Sequence, residues 1–163
     1  MASLADAPIR ELLEGRYIAS LASRNLDGTI HMVAVWYLFE DNYIYIATSS
    51  RSRKARNLQA SAGVSVMIDS RDPAASRGTN LAGTAKLITG DTAQRWNARV
   101  HSKYLSADAL ADSRIAPVFS AFDDVTIQIK PESVIYWDMR EIDKQFLGGA
   151  MASNPSYLLD LQR

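Results

Sequence analysis

Residues Thr48-Ser49-Ser50-Arg51-Ser52-Arg53-Lys54-Ala55-Arg56-Asn57-Leu58 combine a cluster of hydroxyls with four cations. The segment follows the apolar run Tyr43–Ala47, so it stands where a strand ends and a helix begins. Cations are unfavourable at that end of a helix, because the free N–H groups there carry partial positive charge and favour acidic side chains or anions. Arg51, Arg53, Lys54 and Arg56 in that position therefore point to a missing anion. Backbone N–H donors, the hydroxyls of Thr48, Ser49, Ser50 and Ser52, and clustered Arg and Lys are together the groups that bind phosphate. A phosphorylated cofactor is the expected ligand. The plain alternative is a solvated basic helix face, and a further one is a grip on nucleic-acid phosphates.

The rest of the composition narrows the chemistry. The chain has 163 residues, 47% of them apolar, which is enough for one domain with a substantial core. Its 18 basic and 18 acidic residues balance, so no nucleic-acid partner is expected and the basic cluster is a local feature. Cysteine is absent, which removes disulfides, thiolate metal sites and cysteine nucleophiles. Two histidines, His31 and His101, without carboxylates at ligand spacing make no metal site. His31 lies on the strand leading to Trp36 and is a candidate to reach a ligand, whereas His101 is expected on a helix surface. No Gly-x-Ser-x-Gly elbow, P-loop or Gly-x-Gly-x-x-Gly is present. The N-terminal segment lacks a secretory pattern and no apolar run is long enough to span a bilayer, so a soluble cytoplasmic protein is expected.

These residues need a scaffold, and the pattern supplies one. Pro8 opens a short helix over Ile9–Glu14 that ends at Gly15. Strands are predicted at Tyr17–Ser23 and Ile30–Phe39, joined by an Asp27-Gly28 turn, and at Tyr43–Ala47 after a turn at Glu40-Asp41-Asn42. A helix follows at Ser52–Ala60, then strands at Gly63–Asp69 and Thr79–Ile88, the latter holding a glycine, Gly83, that suggests a bulge. A helix over Ala93–Tyr104, with Trp96, Val100 and Tyr104 on one face, precedes a second one over Ser106–Arg114 that Pro117 should end. Val125–Ile129 and Ser133–Trp137 are expected as two last strands, separated by Lys130-Pro131-Glu132, and the tail from Asp138 is only weakly patterned. About seven antiparallel strands with inserted helices most simply close into a barrel. Asp69, Asp72 and Arg77 form a polar loop expected to be solvated or to edge the site.

With these elements placed, the chain resembles the flavin-binding split barrel family that includes pyridoxamine 5′-phosphate oxidase. Three stretches carry the resemblance: His31-Met32-Val33-Ala34-Val35-Trp36-Tyr37, the Ser-x-Ser-Arg-Lys-Ala-x-Asn-Leu helix start, and Val134-Ile135-Tyr136-Trp137-Asp138. It implies a mainly β fold, a six- to seven-stranded antiparallel split barrel, as one domain with an N-terminal helix (1–15) and a C-terminal tail (138–163). It also implies that Ser52, Arg53 and Lys54 bind the phosphate of FMN, with Thr48 and Ser49 as hydroxyl donors and Asn57 as a helper one turn on. The backbone of Met32, Val33, Ala34, Val35 and Trp36 would run along the flavin ring, with Trp137 and Arg140 in the closing motif. Members are homodimers with the cofactor at the subunit interface, acting on small-molecule substrates. Here the closing segment reads Trp137-Asp138-Met139-Arg140 with no histidine, which counts against pyridoxamine oxidation. Relatives on the same fold bind the deazaflavin coenzyme or tetrapyrroles, so a deazaflavin-dependent reductase and a non-catalytic binding module stand beside an FMN-dependent oxidoreductase. A flavin carries its own hydride and electron chemistry, so none of these readings requires a catalytic triad.

Overall fold

A computed structural model describes residues 2–73 and 76–159. Helix α1 (Ala7–Glu14), with Pro8 in its first turn, buries Ile9, Leu12 and Leu13 and stops at Gly15. Strand β1 (Ala19–Arg24) and strand β2 (Ile30–Val35) form the expected hairpin, turned by Gly28 at φ 86°. The expected Ile30–Phe39 strand is in fact two, because the chain leaves the sheet at Trp36-Tyr37 before resuming as β3 (Leu38–Glu40). Tyr37 is the reason: its ring is fully buried and its hydroxyl donates to the Leu12 carbonyl at 2.9 Å, with the Gly15 carbonyl at 3.0 Å. A tight turn with Asp41 and Asn42 both at positive φ then leads into β4 (Tyr43–Thr48).

Helix α2 (Arg53–Ala60), strand β5 (Gly63–Asp69) and strand β6 (Arg77–Ile88) follow close to their predicted places. Helix α3 (Gly90–Tyr104) turns Ala93, Asn97, Val100 and His101 inward, while Trp96 and Tyr104 of the expected face are only half-buried. Two short helices come next, α4 (Ala107–Ala111) and α5 (Ala116–Phe122). Pro117 starts α5 rather than ending a helix, as its preset φ and missing N–H suit a first helical turn. The last two predicted strands are one, β7 (Val125–Asp138), paired with β6 along its length. Pro131 is tolerated because β4 pairs only as far as Ile129, so the N–H that proline lacks is not required on that side. Opposite it the register shifts between Ala82 and Gly83, and a Cβ on Gly83 would sit 2.0 Å from the Lys130 carbonyl oxygen.

All pairings are antiparallel, in the order β2-β1-β5-β6-β7-β4-β3. The two edge strands, β2 and β3, are joined through only Trp36-Tyr37, so the sheet must curl to bring them together at that link, consistent with a split barrel. Leu21, Ile44, Ile46, Val66, Ile68, Leu81, Ile127 and Ile129 fill the interior and α1 closes one end with Ile9 and Leu13. Each such side chain contributes about 1.5–3 kcal/mol by leaving water. Arg77, expected in a polar loop, instead ties β6 to α1 through two hydrogen bonds to Glu11, at 2.6 and 3.0 Å. After β7 the described residues form two short α-helices: α6 (Met139–Phe146) is capped by Asp138, and α7 (Ala150–Ser153) donates two backbone N–H groups to buried Asp143. Among the described residues no helix is long and apolar enough to cross a membrane.

Candidate functional site

The start of α2 shows which groups remain available to a ligand. The Ser52 hydroxyl caps the helix by accepting from the Ala55 N–H at 3.2 Å, and it receives the Thr48 hydroxyl at 3.1 Å. The Ser49 hydroxyl accepts from the Arg51 N–H. Ser50, expected as a phosphate donor, is committed elsewhere, because both its N–H and its hydroxyl donate to the Asp124 carboxylate at 2.6 Å. Those bonds hold the Asp124 carboxyl below its ordinary range. Part of the anion missing from the sequence pattern is thus supplied internally. The N–H groups of Arg53 and Lys54, at the first two helical positions, have no partner among the described residues.

Lys54 opens onto a cleft of about 340 Å³. One wall is Ile18 with Ala34, Val35 and Trp36 from the end of β2; another is Ala47 and Thr48 at the end of β4. Val100 and His101 of α3 and Asp123, between α5 and β7, complete the lining. Trp36 is stacked by Tyr104 at 5.0 Å between ring centroids, 5° from parallel, and by Phe119 at 5.6 Å. Two helices therefore hold an aromatic plate in the wall. Lys54 is half-buried, and its ammonium has no hydrogen-bond or ion-pair partner among the described residues. Burial pushes its pKa down, and the nearby Asp123 charge opposes that shift. A desolvated, unpaired cation beside free helix N–H groups favours an anion strongly, since a charge-assisted hydrogen bond would relieve its burial.

Five of the sequence-derived residues, Ala34, Val35, Trp36, Thr48 and Lys54, meet in this one cleft. Val33 packs against the core and Met32, on the other side of the edge strand, is 65% exposed; neither lines the cleft, which takes in only the end of β2. Arg53 lies on a separate depression with Arg56, Asn57 and the Asn25–Asp27 turn, since successive helical residues diverge by about 100°. The buried Asn57 amide donates to the Ser23 hydroxyl at 3.1 Å and the Asn25 side-chain oxygen at 2.9 Å, which fastens α2 to the β1–β2 turn. Trp137 lies across Gly78, where a Cβ would come within 2.2 Å of its ring. Arg140 pairs with Asp138 at 2.5 Å beside a small apolar crevice under α6 and α7. Neither lies in the Lys54 cleft. His31 is half-buried on β2 and is not among the residues lining it.

His101 reverses expectation: it is 5% exposed, lines the cleft, and its Nε2 lies 2.8 Å from the Asp123 Oδ2. The signal for it was Asn97 four residues earlier, which shares its face. Asn97 fills the interior by donating to the Asp123 and Val125 carbonyls and accepting from the Thr126 hydroxyl. A polar residue on the inward face of a helix hid that face from an apolar periodicity reading.

The model of the pyridoxamine 5′-phosphate oxidase family matches residues 5–138, which spans both walls of the cleft. The chain belongs to that family. No protein of curated function matches it. Among solved structures it is similar to the conserved hypothetical protein Rv2991 from Mycobacterium tuberculosis, with a TM-score of 0.70 and 20% identity over 99% of this chain and 92% of that one. An F420 reductase gives a TM-score of 0.62 and 21% identity over 77% and 94% of the two chains. HutZ, the heme storage protein of Vibrio cholerae, gives 0.62 and 17% over 80% and 92%. At these identities the likeness is one of fold.

Proposed function

We propose that this protein is a flavin-dependent oxidoreductase that binds FMN in the Lys54 cleft at a homodimer interface. The observation that carries the reading is the half-buried, unpaired Lys54 ammonium at the start of α2, facing a cleft whose opposite wall is Ala34–Trp36. Lys54, with the N–H groups of Arg53 and Lys54 and the Ser52 hydroxyl, whose own proton has no acceptor among the described residues, would hold the phosphate. The β2 end and the Trp36 plate would orient the ring, which supplies hydride or electron chemistry when bound. The cleft volume is at the low end for small-molecule sites, so a second surface is needed to enclose a ligand of that size. Outward-facing Ile30 and Met32, 63% and 65% exposed on the edge strand, support a partner subunit there. Trp137 and Arg140, outside the cleft of their own chain, would then serve the partner's.

A second cofactor reading, the deazaflavin coenzyme, has support from the similarity to an F420 reductase and from the same anion-binding groups. A binding module without turnover is the alternative that the fold of HutZ brings in. The visible spectrum of the purified protein, followed by titration of the apo form with FMN and with the deazaflavin coenzyme, decides among them. Saturable FMN binding with turnover of a reductant supports the oxidoreductase. Preference for the deazaflavin, or tight binding without turnover, replaces it with the corresponding alternative, and no affinity for either cofactor refutes the reading.

A further inference from the structure

The cleft holds a carboxylate where an anion site would be expected to exclude one. Asp123 lines the same cavity as Lys54 and is the charge that acts on it, yet no ion pair joins them among the described residues. Its Oδ2 is instead held at 2.8 Å by His101 Nε2. The imidazole is itself fixed: α3 anchors it, its ring meets Phe119 at 5.1 Å between centroids, and it is nearly inaccessible to water. The Asp123 backbone is fixed too, its carbonyl accepting from Asn97 at 2.9 Å. The neighbouring Asp124 is occupied by Ser50, so Asp123 is the carboxylate in the cleft with a choice of cation.

We infer that Asp123 is an internal competitor for Lys54 and that His101 is the positioning residue that restrains it, leaving the Lys54 ammonium open to a phosphate monoester. A carboxylate lining the same cavity as a half-buried ammonium gains by approaching and pairing with it, and that pair would close the anion site. A hydrogen bond from imidazole removes most of the incentive by satisfying the carboxylate where it stands. The same arrangement sets specificity. A fixed negative charge beside the anion raises the cost of each further charge on the ligand, so the site discriminates against highly charged phosphates through Asp123 and not through size alone.

This inference rests on the phosphate-site reading above, and the test separates the two. Inorganic phosphate and FMN are titrated separately into the apo protein by calorimetry, for the parent, Asp123→Asn, His101→Leu and the His101→Leu/Asp123→Asn double variant. Asp123→Asn should bind both probes roughly tenfold tighter, the order expected when one unit charge is removed near a partly exposed site. His101→Leu, which keeps the ring's packing volume, should bind them at least about tenfold more weakly, as expected if a charged pair forms in the ligand's place. The double variant should recover the affinity of Asp123→Asn. A merely structural histidine predicts that the double variant stays as weak as His101→Leu, and that result overturns the inference. So does unchanged affinity in Asp123→Asn, which by itself tests the competition even if His101→Leu fails to fold. Both outcomes leave the phosphate site standing if the parent binds FMN; no binding of either probe by the parent or by Asp123→Asn overturns the site and the inference together.

Discussion

Two lysines in this molecule are half-buried without a hydrogen-bonding partner among the described residues, and their fates differ. The Lys103 ammonium on α3 is sealed from water and lies 3.8 Å from the centroid of the Tyr37 ring, whose π face substitutes for a counter-ion. Burial, with help from Arg16, pushes its pKa down to about 8. Lys54 is also depressed by burial, but its head group opens on a cavity and no aromatic ring among the described residues lies against it. An unpaired buried cation thus signals a binding site only where space remains around the charge. Lys103 is a packing solution; Lys54 has room for a ligand.

The strongest way to break that contrast is Lys54→Ala. Losing one charge-assisted contact to phosphate is expected to weaken FMN binding about 10- to 100-fold. Thermal stability should hold or rise, because the substitution also removes a charge that is costly to bury. Titration of the apo variant and its melting curve check both halves. Unchanged affinity would put Lys54 in the same class as Lys103.

Asn57→Ala should give the reverse pattern. It leaves the buried Ser23 hydroxyl and the Asn25 side chain without the amide that joins them, at a cost of about 1–3 kcal/mol. Denaturant melts should show the loss, while flavin affinity, measured where the variant is fully folded, should change less than about threefold, as for a residue that acts through packing alone. A large affinity change would return Asn57 to the binding site.

Lys103 is tested by alkaline pH. Its folded-state pKa of about 8 lies below the ordinary 10.5 of lysine. Between those values the unfolded chain holds the proton and the folded one does not, so stability rises with pH from about 8. Above the ordinary tyrosine value of 10.0 the trend reverses, since burial raises both Tyr37 and Tyr104, the latter to about 12. There the folded chain keeps protons that the unfolded chain has lost. Lys103→Met should reduce the rise to the part contributed by Lys54, also held low by burial, and keep the fall, as read from denaturant midpoints across that range. A rise undiminished in the variant would assign it to another group.

Much of this architecture was legible in the sequence, and the misses have identifiable causes. The Asp27-Gly28 hairpin, the α2 start and the β5 strand carry local turn, cap and alternation signals. Predicted and observed strand counts agree only because two errors cancel: the break at Tyr37 adds a strand and the continuity through Pro131 removes one. Both depend on tertiary partners, the Leu12 carbonyl in one case and the bulge at Gly83 in the other. At the site, the cations of α2 stood out by composition, but the Asp124 bond to Ser50 and the His101–Asp123 pair join residues far apart in sequence. Which of the cluster's donors are already spent is a property of the fold.

Arg53 sharpens the contrast most finely, since it is adjacent to Lys54 in sequence and shares its sign. It is exposed on the depression beside Asp27, whose carboxyl is held low mainly by Thr29, with Arg53 a minor contributor. A cation in that setting acts on a ligand in the neighbouring cleft only through solvent, where such interactions are typically worth about 0.2–1 kcal/mol. Arg53→Ala should therefore weaken FMN binding less than about fivefold at low salt, and the deficit should vanish near 1 M salt, where the screening length is about 3 Å. The Lys54→Ala deficit should largely persist there if Lys54 holds the phosphate as proposed, because that contact would be direct and partly shielded from water. Titrations of both variants at two salt concentrations make the comparison. A salt-resistant loss in Arg53→Ala equal to that of Lys54→Ala would mean that the ligand bridges both depressions across the first turn of α2.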